Sequence, residues 1–195
     1  MTSHPVAEEK AALRSAVLAA RAALPVADRV NASASIRHHL AALDEVTQAR
    51  ALIAYAAFGA EVDLDPLLEE LIGSGAGVLL PWVDGKHLRL ARVRSMEADL
   101  VPGWRGVREP RVSGRREARA DRVDAVLVPL VAFGADGSRL GYGGGHFDRL
   151  LASTAPGTTK IGVAFAAQQC DCVPTEPHDV PLDIVVTEHG ATRMT

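Results

Sequence analysis

A long apolar run that ends in a glycine-rich loop restricts this 195-residue chain more than any other feature. Ala125 to Phe133, reading Ala-Val-Leu-Val-Pro-Leu-Val-Ala-Phe, has the pattern of a buried strand, and Gly134 to Ser138 punctuates it as a turn. Arg139 to Arg149 follows as Arg-Leu-Gly-Tyr-Gly-Gly-Gly-His-Phe-Asp-Arg and leads into a helix from about Gly145 to Ser153. Glycine lets backbone N–H groups turn inward and lets a ligand approach without meeting a Cβ, and a helix start adds unpaired donors. The pattern therefore predicts a loop that holds an anion, with phosphate as the expected guest, at the carboxyl end of a strand in an open α/β sheet.

The loop is neither of the two familiar phosphate fingerprints. No Gly-Lys-Ser/Thr follows, and Gly141, Gly143, Gly144 and Gly145 miss the spacing of the dinucleotide motif. A tight structural turn stays open as the alternative. Energetics ask for helpers: a charge-assisted hydrogen bond contributes about 1.5–3 kcal/mol, whereas micromolar binding needs about 8 kcal/mol. Arg139 is a helper by position. Lys10 and Arg14, at i and i+4, project from one helix face and become helpers if that helix packs across the loop. Asp148 lies in the first turn after the glycines, either as a ligand for Mg²⁺ or as a carboxylate favoured by the helix start.

The surrounding pattern alternates helices and strands. Leu13, Val17, Ala20 and Leu24 recur at helical intervals between Ala7 and Leu24, with Lys10, Arg14 and Arg21 on other faces. A second helix is expected from Ala27 to Leu43 with Val30, Ile36, Leu40 and Leu43 inward, and the two helices flank the start of the sheet. Strands are predicted at Ala51 to Phe58, Val78 to Pro81, His87 to Val93 at a sheet edge, Lys160 to Phe165 and Ile184 to Thr187, with a helix from Asp65 to Ile72. This order predicts one domain over 1–195: a three-layer α/β/α, Rossmann-like fold with a largely parallel sheet.

Composition narrows the function classes. A formal net charge of -3 and 4% aromatic residues give no global pull toward nucleic acid and no base-stacking platform. The local exception is Arg105 to Arg122, either a solvated face or a basic rim for an anionic substrate tail. No apolar run approaches the ~18 residues of a membrane span, and no charged-then-apolar leader opens the chain, so a cytoplasmic location is expected. Cys170 and Cys172 form a lone Cys-x-Cys without further zinc ligands nearby, and reduced, structural thiols are expected.

The run from Val128 to Arg149 resembles the signature of the 5-formyltetrahydrofolate cyclo-ligases, also called methenyltetrahydrofolate synthetases. The likeness extends to Lys10-Ala-Ala-Leu-Arg14, to Glu61 in Phe-Gly-Ala-Glu-Val-Asp, and to Ile161–Gln168, Val173–Asp179 and Leu182–Glu188, in the family's order. The resemblance implies an enzyme that uses Mg·ATP to convert 5-formyltetrahydrofolate into 5,10-methenyltetrahydrofolate; a monomer acting on small molecules, with no nucleic-acid or membrane partner, is expected. Carried over by position, Lys10, Arg14, Arg139, Leu140, Gly141, Tyr142, Gly143, Gly144, Gly145, His146 and Phe147 would hold ATP. Ala56, Glu61, Trp104 and the stretch Tyr142 to His146 would line the folate, and Asp148 and Asp179 would bind Mg²⁺. Read without the resemblance, Glu61 is a solvated loop carboxylate and Asp179 a turn-forming residue, and Trp104 either covers the folate ring or packs in the core or a lid. Many members of the family carry Lys in place of Gly144 and Tyr-Tyr in place of His146 and Phe147, which removes a phosphate contact and a hydroxyl. A non-catalytic folate or phosphate binder on the same scaffold, or an interaction module built on the arginine stretch, is the rival reading.

Overall fold

In a computed structural model, which describes residues 5–85, 87–103, 106–115 and 117–194, eight strands form one sheet in the order β12-β11-β10-β7-β1-β2-β3-β6. Its centre is parallel: β11 (Ile184–Thr187), β10 (Thr159–Val163), β7 (Ala125–Pro129), β1 (Ala51–Ile53) and β2 (Gly77–Asp84) all run the same way. Both margins are antiparallel, with β12 (Gly190–Arg193) on β11, then β3 (His87–Arg92) on β2 and β6 (Glu117–Ala118) on β3.

Continuous apolar sequence makes the central strands, because residues pointing to either face are covered. Leu52, Leu127 and Ile161 face one core together with Ile36 and Leu40 of α2 (Val26–Ala41) and Leu67, Leu68 and Leu71 of α4 (Asp65–Gly73). Ile53, Val126, Val128 and Val185 face the other, with Leu150 and Leu151 of α5 (His146–Leu151). The expected three-layer α/β domain is what the chain forms. α4 starts where sequence chemistry puts it: the Asp65 N–H bonds to Asp63, Pro66 fits the first turn, and the Asp65 carboxylate lies at the positive helix end. A short helix, α3 (Asp44–Thr47), links α2 to β1.

The first helix, α1 (Pro5–Ala23), departs from expectation. It does not flank the sheet; Val17, Leu13 and Leu18 pack on Val131, Ala132, Leu140 and Val173, a third core around a small ribbon. That ribbon pairs β8 (Ala132–Phe133) with β9 (Arg139–Leu140) and carries the glycine loop. The expected inward Ala20 is exposed and Arg21, expected outward, is buried at 6% exposure. The face of α1 turned to the ribbon thus reads Lys10, Leu13, Arg14, Val17 and Arg21, a mixed stripe facing a polar neighbour. Val30, expected inward on α2, is exposed instead.

Strand ends also differ, and each difference has a local cause. β7 ends at Pro129 rather than Phe133, since proline has no N–H to continue the ladder, and the chain then leaves the sheet to form the ribbon. β1 ends at Ile53, and residues 54–57 run on extended to a turn in which the Glu61 N–H bonds to the Phe58 carbonyl and Gly59 has φ 62°. β3 is not the edge strand, because β6 pairs outside it. A second ribbon, β4 (Leu100–Pro102) with β5 (Arg108–Pro110), stands over the end of the sheet. None of the described helices is long and apolar enough to cross a membrane. Trp104, Arg105 and Arg116 lie outside the described residues.

Candidate active site

Where β1 and β7 leave the sheet, a cleft of about 850 Å³ opens beneath α1, lined by residues of the glycine loop, Lys10, Arg14, Ala56, Glu61 and Asp179 among others. Parallel strands deliver their loops to this end of the sheet. The expected site residues thus converge, from positions 10 to 179 of the chain, except Trp104, which lies outside the described residues.

α1 does pack across the loop. Arg14 Nε donates to the Gly141 carbonyl at 2.9 Å, and a Cβ at Gly143, whose φ is 94°, would sit 3.3 Å from the Arg14 guanidinium carbon. Gly145, at φ 60°, turns the chain into α5. That helix has only six residues, shorter than expected, so the field at its start is small and any anion held here depends on the loop amides and the basic side chains. Gly144 is tied to His146: a Cβ there would lie 2.7 Å from the imidazole Cδ2. Of the three positions noted as departures, Gly144, His146 and Phe147, the first two are therefore in steric contact. Arg149 holds the loop from below, donating to the Gly144 carbonyl at 2.9 Å.

Two acid–base pairs border the loop. Arg139, 4% exposed, donates to Asp148 at 2.5 Å and to the Val180 carbonyl at 3.1 Å, so its guanidinium orders Asp148 from behind. Lys10 reaches Asp179 at 2.6 Å and Glu176 at 2.8 Å, fastening the proline-rich segment around residues 174–181 to α1. Burial is the largest single influence on both Lys10 and Asp179 and works against their charges, but it is outweighed by the hydrogen bonds and charges taken together: Asp179 and Glu176 around Lys10, and Lys10, the Glu176 amide and His178 around Asp179. The ammonium pKa is raised, and the Asp179 carboxyl, which also accepts the Glu176 N–H, is held below the ordinary carboxylate range. Among the described residues no three His, Cys, Asp or Glu side chains cluster as a ready cation cage. Mg²⁺ commonly takes one or two carboxylates and completes its shell with phosphate oxygens and water; Asp148 and Asp179 are carboxylates lining the cleft, each held here by a cation, Arg139 and Lys10.

On the other side of the loop lies a hydrogen-bonded chain. Arg21 Nη2 donates to the Tyr142 hydroxyl at 2.8 Å, the hydroxyl donates to Glu61 Oε1 at 2.5 Å, and the Phe58 N–H donates to Glu61 Oε2 at 2.9 Å. Burial raises the Glu61 pKa, against the opposing pull of Tyr142, the Phe58 amide and the Arg21 charge. Burial and the nearby Glu61 raise that of Tyr142. Almost half of Tyr142 is exposed (47%), while its hydroxyl is bonded to both Glu61 and Arg21. Arg21 was not among the expected site residues. Its sequence signal was available, since 10, 14 and 21 fall on one helical stripe with Val17.

Three arginines of the basic stretch are engaged within the fold, while Arg119 pairs with Asp121 at the exposed surface. Arg108 makes a bidentate pair with Asp65 at 2.7 and 2.9 Å, Arg111 donates to the Ala98 carbonyl, and Arg115 lies 4.4 Å from the Trp82 ring centroid. Cys170 and Cys172 are both free thiols.

The sequence profile of the 5-formyltetrahydrofolate cyclo-ligase family matches residues 6–188. A 5-formyltetrahydrofolate cyclo-ligase of Haemophilus influenzae is 30% identical over 183 residues, 92% of this chain and 98% of that protein. One of Mycolicibacterium smegmatis is 34% identical over 182 residues, 91% of this chain and 93% of its own length. The NMR structure of Aquifex aeolicus 5,10-methenyltetrahydrofolate synthetase superposes with a TM-score of 0.84 at 36% identity, covering 95% of this chain and 92% of that one. With the glycine loop, the basic helix and the acidic partners brought to one cleft, and with likeness along nearly its whole length, the chain belongs to the 5-formyltetrahydrofolate cyclo-ligase family of enzymes.

Proposed function

We propose that this enzyme uses Mg·ATP to convert 5-formyltetrahydrofolate into 5,10-methenyltetrahydrofolate, with release of ADP and phosphate, as a cytoplasmic monomer. The observation that carries the reading is the meeting of α1 with the glycine loop, through the 2.9 Å bond from Arg14 to Gly141, beside a cleft whose far wall holds Glu61. The loop from Gly141 to Phe147 would cradle the triphosphate, with Lys10 and Arg14 facing its charge. Asp148 and Asp179 would hold Mg²⁺, which supplies neutralisation of the charge on the phosphate oxygens. Ala56, Glu61 and Tyr142 to His146 would line the folate.

The reaction explains why such parts are needed. A formamide carbonyl is a poor electrophile. Transfer of the γ-phosphoryl group to the formyl oxygen makes that oxygen a leaving group; the second folate nitrogen attacks the formyl carbon, loses its proton, and the carbon–oxygen bond breaks to release phosphate. Such transfer asks chiefly for alignment and charge neutralisation. Arg14, bonded to the loop backbone, fixes the cradle, and Lys10 can turn from Asp179 and Glu176 toward phosphate oxygens while staying on the same helix. Incubation with 5-formyltetrahydrofolate and Mg·ATP is expected to give a rise of methenyl absorbance with one phosphate released per ring closed. No rise, or a rise without ATP, overturns the reading. Mg·ATP is also expected to raise the melting temperature in the absence of folate.

A further inference from the structure

Arg21 is a buried guanidinium whose hydrogen bond runs to the Tyr142 hydroxyl, with its Cζ 5.7 Å from the ring centroid and no ion-pair partner within 4.0 Å among the described residues. A charge removed from water in this way is costly unless it is compensated. The compensation lies one side chain further on, at Glu61, 2.5 Å from the same hydroxyl.

Arginine can only donate, and an ionised carboxylate can only accept. With Glu61 ionised, the single phenol proton goes to Glu61 Oε1, the hydroxyl oxygen accepts from Arg21, and Oε2 accepts the Phe58 N–H; the Arg21 guanidinium, one side chain away, favours that charged form. Both carboxylate oxygens are thereby held as acceptors. We infer that Arg21 is a positioning residue which, acting through Tyr142, keeps Glu61 an acceptor, so that the substrate group docking on Glu61 is an N–H of the reduced folate and not its formyl oxygen.

This rests on the proposed function for the identity of the substrate, and on geometry alone for the role of Arg21. Burial pushes Glu61 toward its protonated form, and a protonated Glu61 would offer a donor where the chain now offers an acceptor. The other ionisable groups nearby do not replace Arg21. Tyr55 is buried with its pKa raised well above the ordinary tyrosine value, its hydroxyl bonds to the Val62 carbonyl, and Asp63 is itself negative.

The test is a double-mutant cycle on the full-length protein. Arg21→Met is expected to raise KM for 5-formyltetrahydrofolate at least about tenfold while leaving KM for Mg·ATP within about twofold. The acid limb of kcat/KM for the folate should move to higher pH, and Arg21→Lys should restore part of both effects. In a Tyr142→Phe background the Arg21→Met change should add little, because the route to Glu61 is already cut. If Arg21→Met fails to fold, Tyr142→Phe alone must move the acid limb the same way. An unmoved folate KM and acid limb, or full additivity in the cycle, overturns the inference. A ¹³C NMR titration of the Glu61 carboxyl, assigned against Glu61→Gln, separates the two readings without substrate. A carboxyl pKa unchanged by Arg21→Met overturns the role of Arg21, whereas an inert wild type with a normally shifted carboxyl overturns the proposed reaction and, with it, the choice of docking group.

Discussion

The parallel centre of the sheet and the cleft above it are built on opposite principles. Leu52, Ile53, Val126, Leu127 and Ile161 are 0% exposed and carry no charge, so the centre is held by apolar burial. In the cleft beyond the ends of those strands, Arg139 is 4% exposed against Asp148, Lys10 is fastened to Asp179, and Arg21 reaches Glu61 through Tyr142. The first region gains from the removal of water. The second keeps charges partly dehydrated and paired with one another, an arrangement close to neutral for stability. Substitutions in the two regions should therefore separate stability from turnover.

The largest expected effect is in the centre: Leu127→Ala should cost about 2–5 kcal/mol in urea unfolding while the activity of each folded molecule stays near wild type. At the rim the pattern reverses. Lys10→Met should lower kcat/KM for Mg·ATP by about ten- to a hundredfold, with a loss of unfolding free energy of about 1–2 kcal/mol because Asp179 and Glu176 lose the ammonium they share. Losses of equal size in both quantities would erase the contrast. Glu61→Gln sharpens it further: it removes the carboxylate that compensates the buried Arg21 guanidinium, so it should lower the melting temperature by less than Leu127→Ala does, yet reduce folate turnover at least about tenfold.

The paired carboxylates also give the rim a pH signature. Asp179 is held below its ordinary value of 3.8, so the stability it contributes is complete above that pH and is lost as pH falls through the folded-state value. The difference in unfolding free energy between wild type and Asp179→Asn, measured by urea titration, should accordingly be constant near neutrality and shrink below about pH 4. The smallest effect is expected at Gly144. Gly144→Ala must displace the His146 ring, whose Cδ2 stands 2.7 Å from the new Cβ, and should raise KM for Mg·ATP about two- to fivefold. His146→Ala should relieve the added cost.

Sequence reading recovered what is local and missed what is not. The runs at Ala125, Lys160 and Ile184 declared themselves as strands because parallel strands are apolar on both faces, and Pro66 and Asp65 marked the start of α4. The glycine loop was legible for the same reason, as composition peculiar to one stretch. Boundaries were harder. Nothing in Ala51 to Phe58 says that the ladder stops at Ile53, since a strand and the extended segment after it share one composition. Arg21 was set on an outer face because arginine is ordinarily solvated, and its inward turn depends on Tyr142, 121 residues away. The pairing of Lys10 with Asp179 spans 169 residues and leaves no local trace. The two antiparallel ribbons and β12 went unread because strands of two to four residues are too short for a period to appear.

The separate seat of α1 has a consequence for how the enzyme opens. Because Val17, Leu13 and Leu18 rest on the ribbon and not on either face of the sheet, the helix that brings Lys10, Arg14 and Arg21 to the cleft is seated on a small core of its own. Its amides should exchange with solvent through a smaller opening free energy than those of β7, and a bound nucleotide should slow that exchange selectively. Entry and departure of a bulky phosphate ligand can then proceed by loosening one wall, with the sheet beneath it never unfolding.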